Sequence, residues 1–194
     1  MLNKGKIIAN KFLTEDVFEL TVKLDQKFNF IAGQFITVKI DDATPPCFRA
    51  YSIASAPKNS ETIDVTIKIA TKTDGSKGRG SSWLAQLKEN DEIAFLGPSG
   101  KFFFAAPNEK QVIFVATGTG VAPFRSMIED QLNKGSKQKM HLIFGVRHIK
   151  DIFYREIFEE LAQKHENFTF DLTLSRPEDD SWQGSKGRVT EQLK

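Results

Sequence analysis

Apolar and polar residues alternate through the first half of the chain. Phe18, Leu20, Val22 and Leu24 are interleaved with Glu19, Thr21 and Lys23, and Ile63, Val65, Ile67 and Ile69 repeat the pattern. Ile36, Val38 and Ile40 form a third such run. A period of two places each set on one face of a strand. The stretches AN, DD, PKNS and TDGSKG supply turn chemistry between the runs, so about six antiparallel strands are predicted between Lys6 and Leu96. Strands this short and half-buried close most economically as a barrel or sandwich, which leaves few unpaired edges. One stretch breaks the rhythm. GRGSSWLAQL, residues 78–87, sets glycines and serines before an apolar helical turn carrying Trp83, Leu84 and Leu87.

The rhythm changes after GPSGKFFF, residues 97–104, where a proline and two glycines punctuate the chain as expected at a domain junction. The boundary is predicted near residues 105–110, dividing the chain into 1–105 and 106–194. Residues 112–115 form a continuous apolar run, followed by ATGTGVAP and an amphipathic segment with Phe124, Met127, Ile128 and Leu132. This is a strand, glycine turn and helix, with the strand expected to be enclosed on both faces of a parallel sheet. A second unit pairs LIFGVR with DIFYREIFEELAQKH, where Asp151 is a candidate helix cap and Phe153, Ile157 and Leu161 a buried stripe. FTFDLTLS alternates and so suggests an edge strand. Three parallel strands with crossover helices are predicted, a Rossmann-like arrangement.

Composition narrows the function classes. Hydrophobic residues at 40% and 17 phenylalanines suffice to build cores. Basic residues exceed acidic ones by only 27 to 25 and are scattered, which argues against a nucleic-acid partner. No apolar run is long enough for a membrane span and the amino terminus lacks a signal core, so a cytoplasmic location is the default expectation. A single cysteine, Cys47, cannot hold an iron–sulfur cluster or an internal disulfide, and it reads as a small packed residue. His141, His148 and His165 lack ligand spacing to one another, so no metal site is expected.

Four stretches carry candidate chemistry. In RAYSIAS, residues 49–55, Arg49 and Tyr51 stand roughly 7 Å apart on one strand face, so the cation can hold a phosphate while the ring lies on a planar cofactor. Ser52 adds a hydroxyl at that ring's edge, provided the cofactor lies across the strand's end, since alternation sends Ser52 to the other face. Gly78, Gly80, Ser81 and Ser82 at a helix start offer either an anion site of free N–H groups and hydroxyls or a plain serine cap. Gly118 and Gly120 match the first two glycines of the dinucleotide fingerprint, with Pro123 in place of the third. Ser175 and Arg176 follow the last strand, at the carboxyl end where such sheets bind ligands. Arg176 is either a ribose or 2′-phosphate contact or a solvated loop arginine, and the acidic PEDD beside it weighs mildly against a 2′-phosphate.

RAYS, then GRGSSWL, after GQF at residues 33–35 and before TGTGVAP, together resemble the ferredoxin–NADP reductase-like family across essentially the whole chain. The resemblance implies an antiparallel six-stranded β-barrel that binds FAD, followed by a Rossmann-like NAD(P)-binding domain. It makes Arg49, Lys68, Gly78, Gly80, Ser81 and Ser82 FAD-binding candidates, puts Tyr51 on the isoalloxazine ring and Ser52 near its N5, and makes Tyr51 and Ser52 the catalytic candidates. Lys68 alternates outward and is the weakest of the set. The TGTGxAP match assigns Thr117, Gly118, Thr119, Gly120 and Pro123 to the nucleotide, and Ser175 and Arg176 to its adenosine end.

The implied activity is hydride transfer from NAD(P)H to FAD and electron release to a separate acceptor such as ferredoxin, flavodoxin, a haem protein or an oxygenase. Alternatives are an FAD-binding electron-transfer subunit active only with a partner, the same scaffold loaded with FMN, and a nucleotide-binding module without its own catalysis. NADH and NADPH are not distinguished. Family members carry a further strand with a Cys-Gly-x-Pro motif near the nicotinamide, which is absent here, so a fragment or a partner covering the edge of the 112–115 strand is expected.

Overall fold

The computed structural model describes residues 2–40, 45–58, 61–104, 110–178 and 181–193. The period-two runs become β1 (Asn3–Phe12), β2 (Val17–Leu24), β3 (Phe35–Ile40), β4 (Cys47–Ser52), β5 (Thr62–Lys68) and β6 (Glu92–Ser99). They pair antiparallel in the order β4-β3-β6-β1-β2-β5. The sheet curls until its outer strands meet, where Ile53 bridges Val65 and the Ala54 N–H donates to the Asp64 carbonyl at 2.8 Å. Phe18, Leu20, Val22, Ile36, Val38, Ile40, Ile63, Val65 and Ile67 fill the interior. Each such side chain contributes about 1.5–3 kcal/mol by leaving water.

One detail of the barrel departs from the sequence reading. Ala9 and Asn10 lie inside β1 rather than in a turn; the register slips between Ile7 and Ala9, and the Asn10 amide donates to the Ala85 and Leu87 carbonyls. The extra residue is taken up as a bulge, so the strand bends without ending. The DD pair at residues 41–42 and the junction at residues 105–109 lie outside the described residues. α1 (Arg79–Ala85) sits between β5 and β6 with Leu84 wholly buried.

A second sheet holds β7 (Val112–Thr117), β8 (Met140–Val146), β9 (Phe168–Leu174) and the two-residue β10 (Ser185–Lys186), parallel in the order β10-β9-β8-β7. β9 is therefore not the edge that its alternation suggested. β10 lies along its second half, where Thr173 donates to the Ser185 and Gly187 carbonyls and Leu172 to Leu174 are buried. The sheet's open side is β7, which pairs only with β8 among the described residues. Its apolar run is accordingly enclosed on one face: Phe114 and Ala116 are buried while Ile113 is 50% exposed.

α2 (Ala122–Asn133) follows β7 through a tight turn at residues 118–121, with Pro123 in its first turn and Met127, Ile128 and Leu132 facing inward. α3 (Arg155–Lys164) begins three residues later than a cap at Asp151 predicts. Asp151 does not cap it. Its carboxylate accepts from the His148 N–H and closes a short turn over residues 149–151. Tyr154, at φ 61°, then holds a left-handed conformation that interrupts any helix. The buried stripe shifts with the start: Phe158 is fully buried against Phe144 and Phe168, whereas Ile157 and Leu161 are half-buried and Phe153 packs from the connector.

Candidate functional site

β4 is an end strand of the barrel sheet and runs beside α1. Its register against β3 sets Arg49 opposite Val38, Tyr51 opposite Ile36 and Ser52 opposite Phe35. Arg49 is exposed and its Nη1 donates to the Phe48 carbonyl at 2.8 Å. A Cβ on Gly80 would lie 3.1 Å from Arg49 Cγ and 3.3 Å from an Ile40 methylene, so glycine there first admits the arginine stem. Tyr51 is half-buried, and burial pushes its hydroxyl up to about 12 against the pull of Arg49; the phenol stays neutral.

α1 does not use a serine cap. Its N-cap is Gly78, which makes no side-chain cap bond, and seven residues give little dipole. Ser81 is engaged on both sides, accepting from the Ala70 N–H at 3.0 Å and donating to the Gly78 carbonyl at 3.2 Å. Ser82 is different: its hydroxyl is buried and has no hydrogen-bond partner among the described residues. A buried hydroxyl is ordinarily paired, which makes Ser82 a candidate to meet a bound group. It fits an anionic cofactor held between α1 and Arg49.

A cleft of about 680 Å³ lies between the two sheets. Asp16, Val17 and Lys68 line it from the barrel; Thr117, Gly118, Thr119, Arg147, Ser175, Arg176 and Arg188 line it from the parallel sheet. Gly118 needs its φ of 51°, and no atom lies within 4 Å of where a Cβ would stand on Gly118 or Gly120. That open backbone at the start of α2 is where a phosphate can approach the helix N-terminus. Pro123 serves the helix turn, not the cleft wall. Lys68 stands on this cleft and pairs with Asp16 at 2.9 Å.

The two halves are joined by polar side chains. Arg125 of α2 contacts Glu19 of β2 at 2.7 Å, Asp64 of β5 at 3.6 Å and its own helix's Glu129 at 2.8 Å. Its guanidinium lies 4.6 Å from the centre of the Tyr154 ring, and the Tyr154 hydroxyl donates to Glu19 while sharing a hydrogen bond with Thr66. Burial opposes the charge on Arg125, but Tyr154, Glu129 and Glu19 more than restore it. Burial raises Glu19, with Arg125 acting in the opposite direction and Asp64 adding to the rise.

The oxidoreductase FAD-binding domain family matches residues 4–104, and the oxidoreductase NAD-binding domain family matches residues 114–194. This chain belongs to the ferredoxin–NADP reductase-like family. It carries the family's FAD-binding and NAD-binding domains. It is 36% identical over 188 residues to ferredoxin–NADP reductase B of Sorangium cellulosum, covering 96% of this chain and 75% of that protein. It is 38% identical over 164 residues to a Na⁺-translocating NADH-quinone reductase component of Alteromonas macleodii, covering 81% of this chain and 53% of that component. The chain thus spans about half the length of several such components it matches. Among solved structures, the cytochrome b5 reductase domain of Ulva prolifera nitrate reductase superposes with a TM-score of 0.83 at 21% identity, covering 96% of this chain and 78% of that one. A Neisseria gonorrhoeae ferredoxin NADP⁺ reductase with bound FAD and NADP gives 0.81 at 22%, covering 99% and 75%. Both likenesses concern the fold.

Within this reductase-like frame the structure brings Arg49 beside Gly80, and Lys68 together with Thr117, Gly118, Thr119, Ser175 and Arg176. Lys68 therefore stands with the nucleotide-side residues rather than in the α1–Arg49 corner. Sequence reasoning missed Arg147 and Arg188 on the cleft and Arg125, Glu19 and Tyr154 at the junction. Arg147 had a usable signal, since it follows β8 just as Arg176 follows β9.

Proposed function

We propose that the chain is a flavoprotein reductase that binds FAD along β4 and α1, takes hydride from NAD(P)H in the cleft, and delivers electrons to a separate acceptor. The observation that carries this reading is that the cleft is walled from both domains, by Asp16, Val17 and Lys68 on one side and by residues 117–119 and 175–176 on the other. A nucleotide held there lies against both units. Residues 1–105 serve as the flavin unit and 106–194 as the nucleotide unit.

When bound, FAD supplies two-electron acceptance from nicotinamide and one-electron release. The chain's own residues bind and orient. Arg49 and Ser82 hold the cofactor's phosphates, with Gly78, Gly80 and Ser81 shaping the turn beneath them. Tyr51 gives its neutral ring to the flavin's face and Ser52 a hydroxyl to its edge. Thr117 to Gly120 receive the nucleotide's phosphates, with Pro123 fixing the helix start. Arg147, Arg176 and Arg188 carry guanidinium groups without a carboxylate partner among the described residues, which favours NADPH, whose 2′-phosphate adds charge over NADH.

The test is an anaerobic absorbance titration of FAD-loaded protein with NADH and then NADPH. Bleaching of the flavin band, at lower NADPH than NADH, is the expected result; tight FAD binding with no bleaching by either removes the reductase reading. Ser52→Ala should slow flavin reduction far more than it weakens FAD binding.

A second reading is an FAD-binding subunit that works only with a partner, favoured by the unpaired side of β7 and the exposed Ile113. Co-elution with a partner from native extract, and reduction only in its presence, would select it. Ferredoxin, flavodoxin, a haem protein and an oxygenase all suit as acceptors. Among the described residues no helix is long and apolar enough to cross a membrane; we place the work in the cytoplasm, with the pyridine-nucleotide pool.

A further inference from the structure

The two motif-bearing segments of this chain touch directly. The Ser126 hydroxyl, in the first turns of α2 just after the glycine turn, donates at 2.7 Å to the Ser55 carbonyl, three residues past Ser52. Ser55 in turn accepts through its side chain from the Asp64 N–H at 3.0 Å, and Ala54 donates to the Asp64 carbonyl at 2.8 Å. Asp64 is also a partner of Arg125. The sequence-adjacent Arg125 and Ser126 therefore grip the end of the β4 segment by two routes, one through backbone and one through β5.

We propose that Arg125, Ser126 and Tyr154 form a positioning clamp that holds the nucleotide-binding turn at residues 117–121 in fixed register with the flavin strand β4. The geometry suits the task. Arg125 offers a planar fork, and its three carboxylate contacts come from β2, β5 and α2, each less than a quarter exposed. Tyr154 closes the fork from above and ties the start of α3 to Glu19 and Thr66. Its left-handed backbone aims the side chain at the barrel in a conformation that a tyrosine seldom adopts. None of these side chains lines the cleft, so they act through the turn and not on the nucleotide.

The clamp's role in catalysis rests on the reductase reading above, but its mechanical role does not. Two variants test it, Tyr154→Phe, which keeps the ring and removes the hydroxyl, and Arg125→Lys, which keeps the charge and removes the fork. In the apo protein, amide exchange over residues 117–126 should speed up by about tenfold or more, while β1 to β3 stay as protected as in the parent. Unchanged exchange overturns the clamp whether or not the protein reduces flavin. In FAD-loaded protein, the limiting rate of flavin reduction should fall by about tenfold or more while the nucleotide Kd and FAD Kd move by less than about threefold. A loss carried wholly by either Kd also overturns it, because a residue of the binding wall would behave that way. If the parent protein is not bleached by either nucleotide, the reductase reading fails and the exchange measurement alone decides the clamp.

Discussion

The Ser126 hydroxyl reaches the Ser55 carbonyl at 2.7 Å, so the segment that begins RAYS and the helix that follows TGTG are in contact although 71 residues separate the two serines. The two motif-bearing segments are therefore hydrogen-bonded to each other at this point. Gly33 shows the same closeness. With φ at 100°, its absent Cβ would stand 2.1 Å from the Phe102 carbonyl and 2.3 Å from the Met127 methyl on α2.

Gly33→Ala should accordingly destabilise the whole chain, by about 2–4 kcal/mol, through backbone strain and overpacking together. A urea unfolding midpoint within error of the parent would contradict the close approach.

Ser82→Ala separates folding from binding. The hydroxyl is buried and unpaired among the described residues, so deleting it removes a desolvated group and should leave the apo protein as stable as before or slightly more so. FAD affinity should fall by about tenfold, the equivalent of one lost hydrogen bond to a charged group. Fluorescence titration with FAD, set beside apo melting curves, reads both; a large apo destabilisation would mean that Ser82 serves the fold.

The glycine turn gives a contrast between neighbours. Gly118, at φ 51°, should resist alanine with a stability loss of about 1 kcal/mol, whereas Gly120 has open space and no positive φ. Gly120→Ala should fold normally and bind nucleotide poorly, because the methyl fills the approach to the backbone. Equal nucleotide affinity in Gly120→Ala and parent protein would remove this turn from the binding surface.

Glu19 makes stability depend on pH. Its carboxyl is held above its ordinary value of 4.5, chiefly by burial, so the folded state binds the proton more tightly than the unfolded chain. The resulting stabilisation is complete below pH 4.5 and is lost as pH rises through the raised value. Glu19→Gln keeps an acceptor for Tyr154 and Arg125 but cannot titrate. Its stability relative to the parent should therefore climb as pH rises above 4.5; parallel urea midpoints across that range would show that Glu19 is not the titrating group.

The barrel was legible because its signal is local. Phe18, Leu20, Val22 and Leu24 point inward for the same reason that they alternate, and a strand's pleat converts one directly into the other. The TGTG turn was equally plain, since glycine at positive φ and proline early in a helix are backbone requirements written in single residues. The polar tail SWQGSKGRVTEQLK carried no such period. It nonetheless supplies β10, because two residues suffice to pair with β9 once the sheet is there to receive them.

The chain's own pattern determined the strands, the order of the motifs and the chemistry each can offer. Tertiary structure decided which of them meet. Lys68 went to the cleft between the two sheets with Asp16, Gly80 took in the Arg49 stem, and Arg125 joined Glu19, Asp64 and Tyr154. Such meetings depend on how two sheets pack across tens of residues of separation, and periodicity within one element holds no record of its neighbours. Burial then fixes their energetics: an Arg125 in solvent would be an ordinary helix cation, and the same side chain buried among three carboxylates and a tyrosine becomes the joint between the two halves.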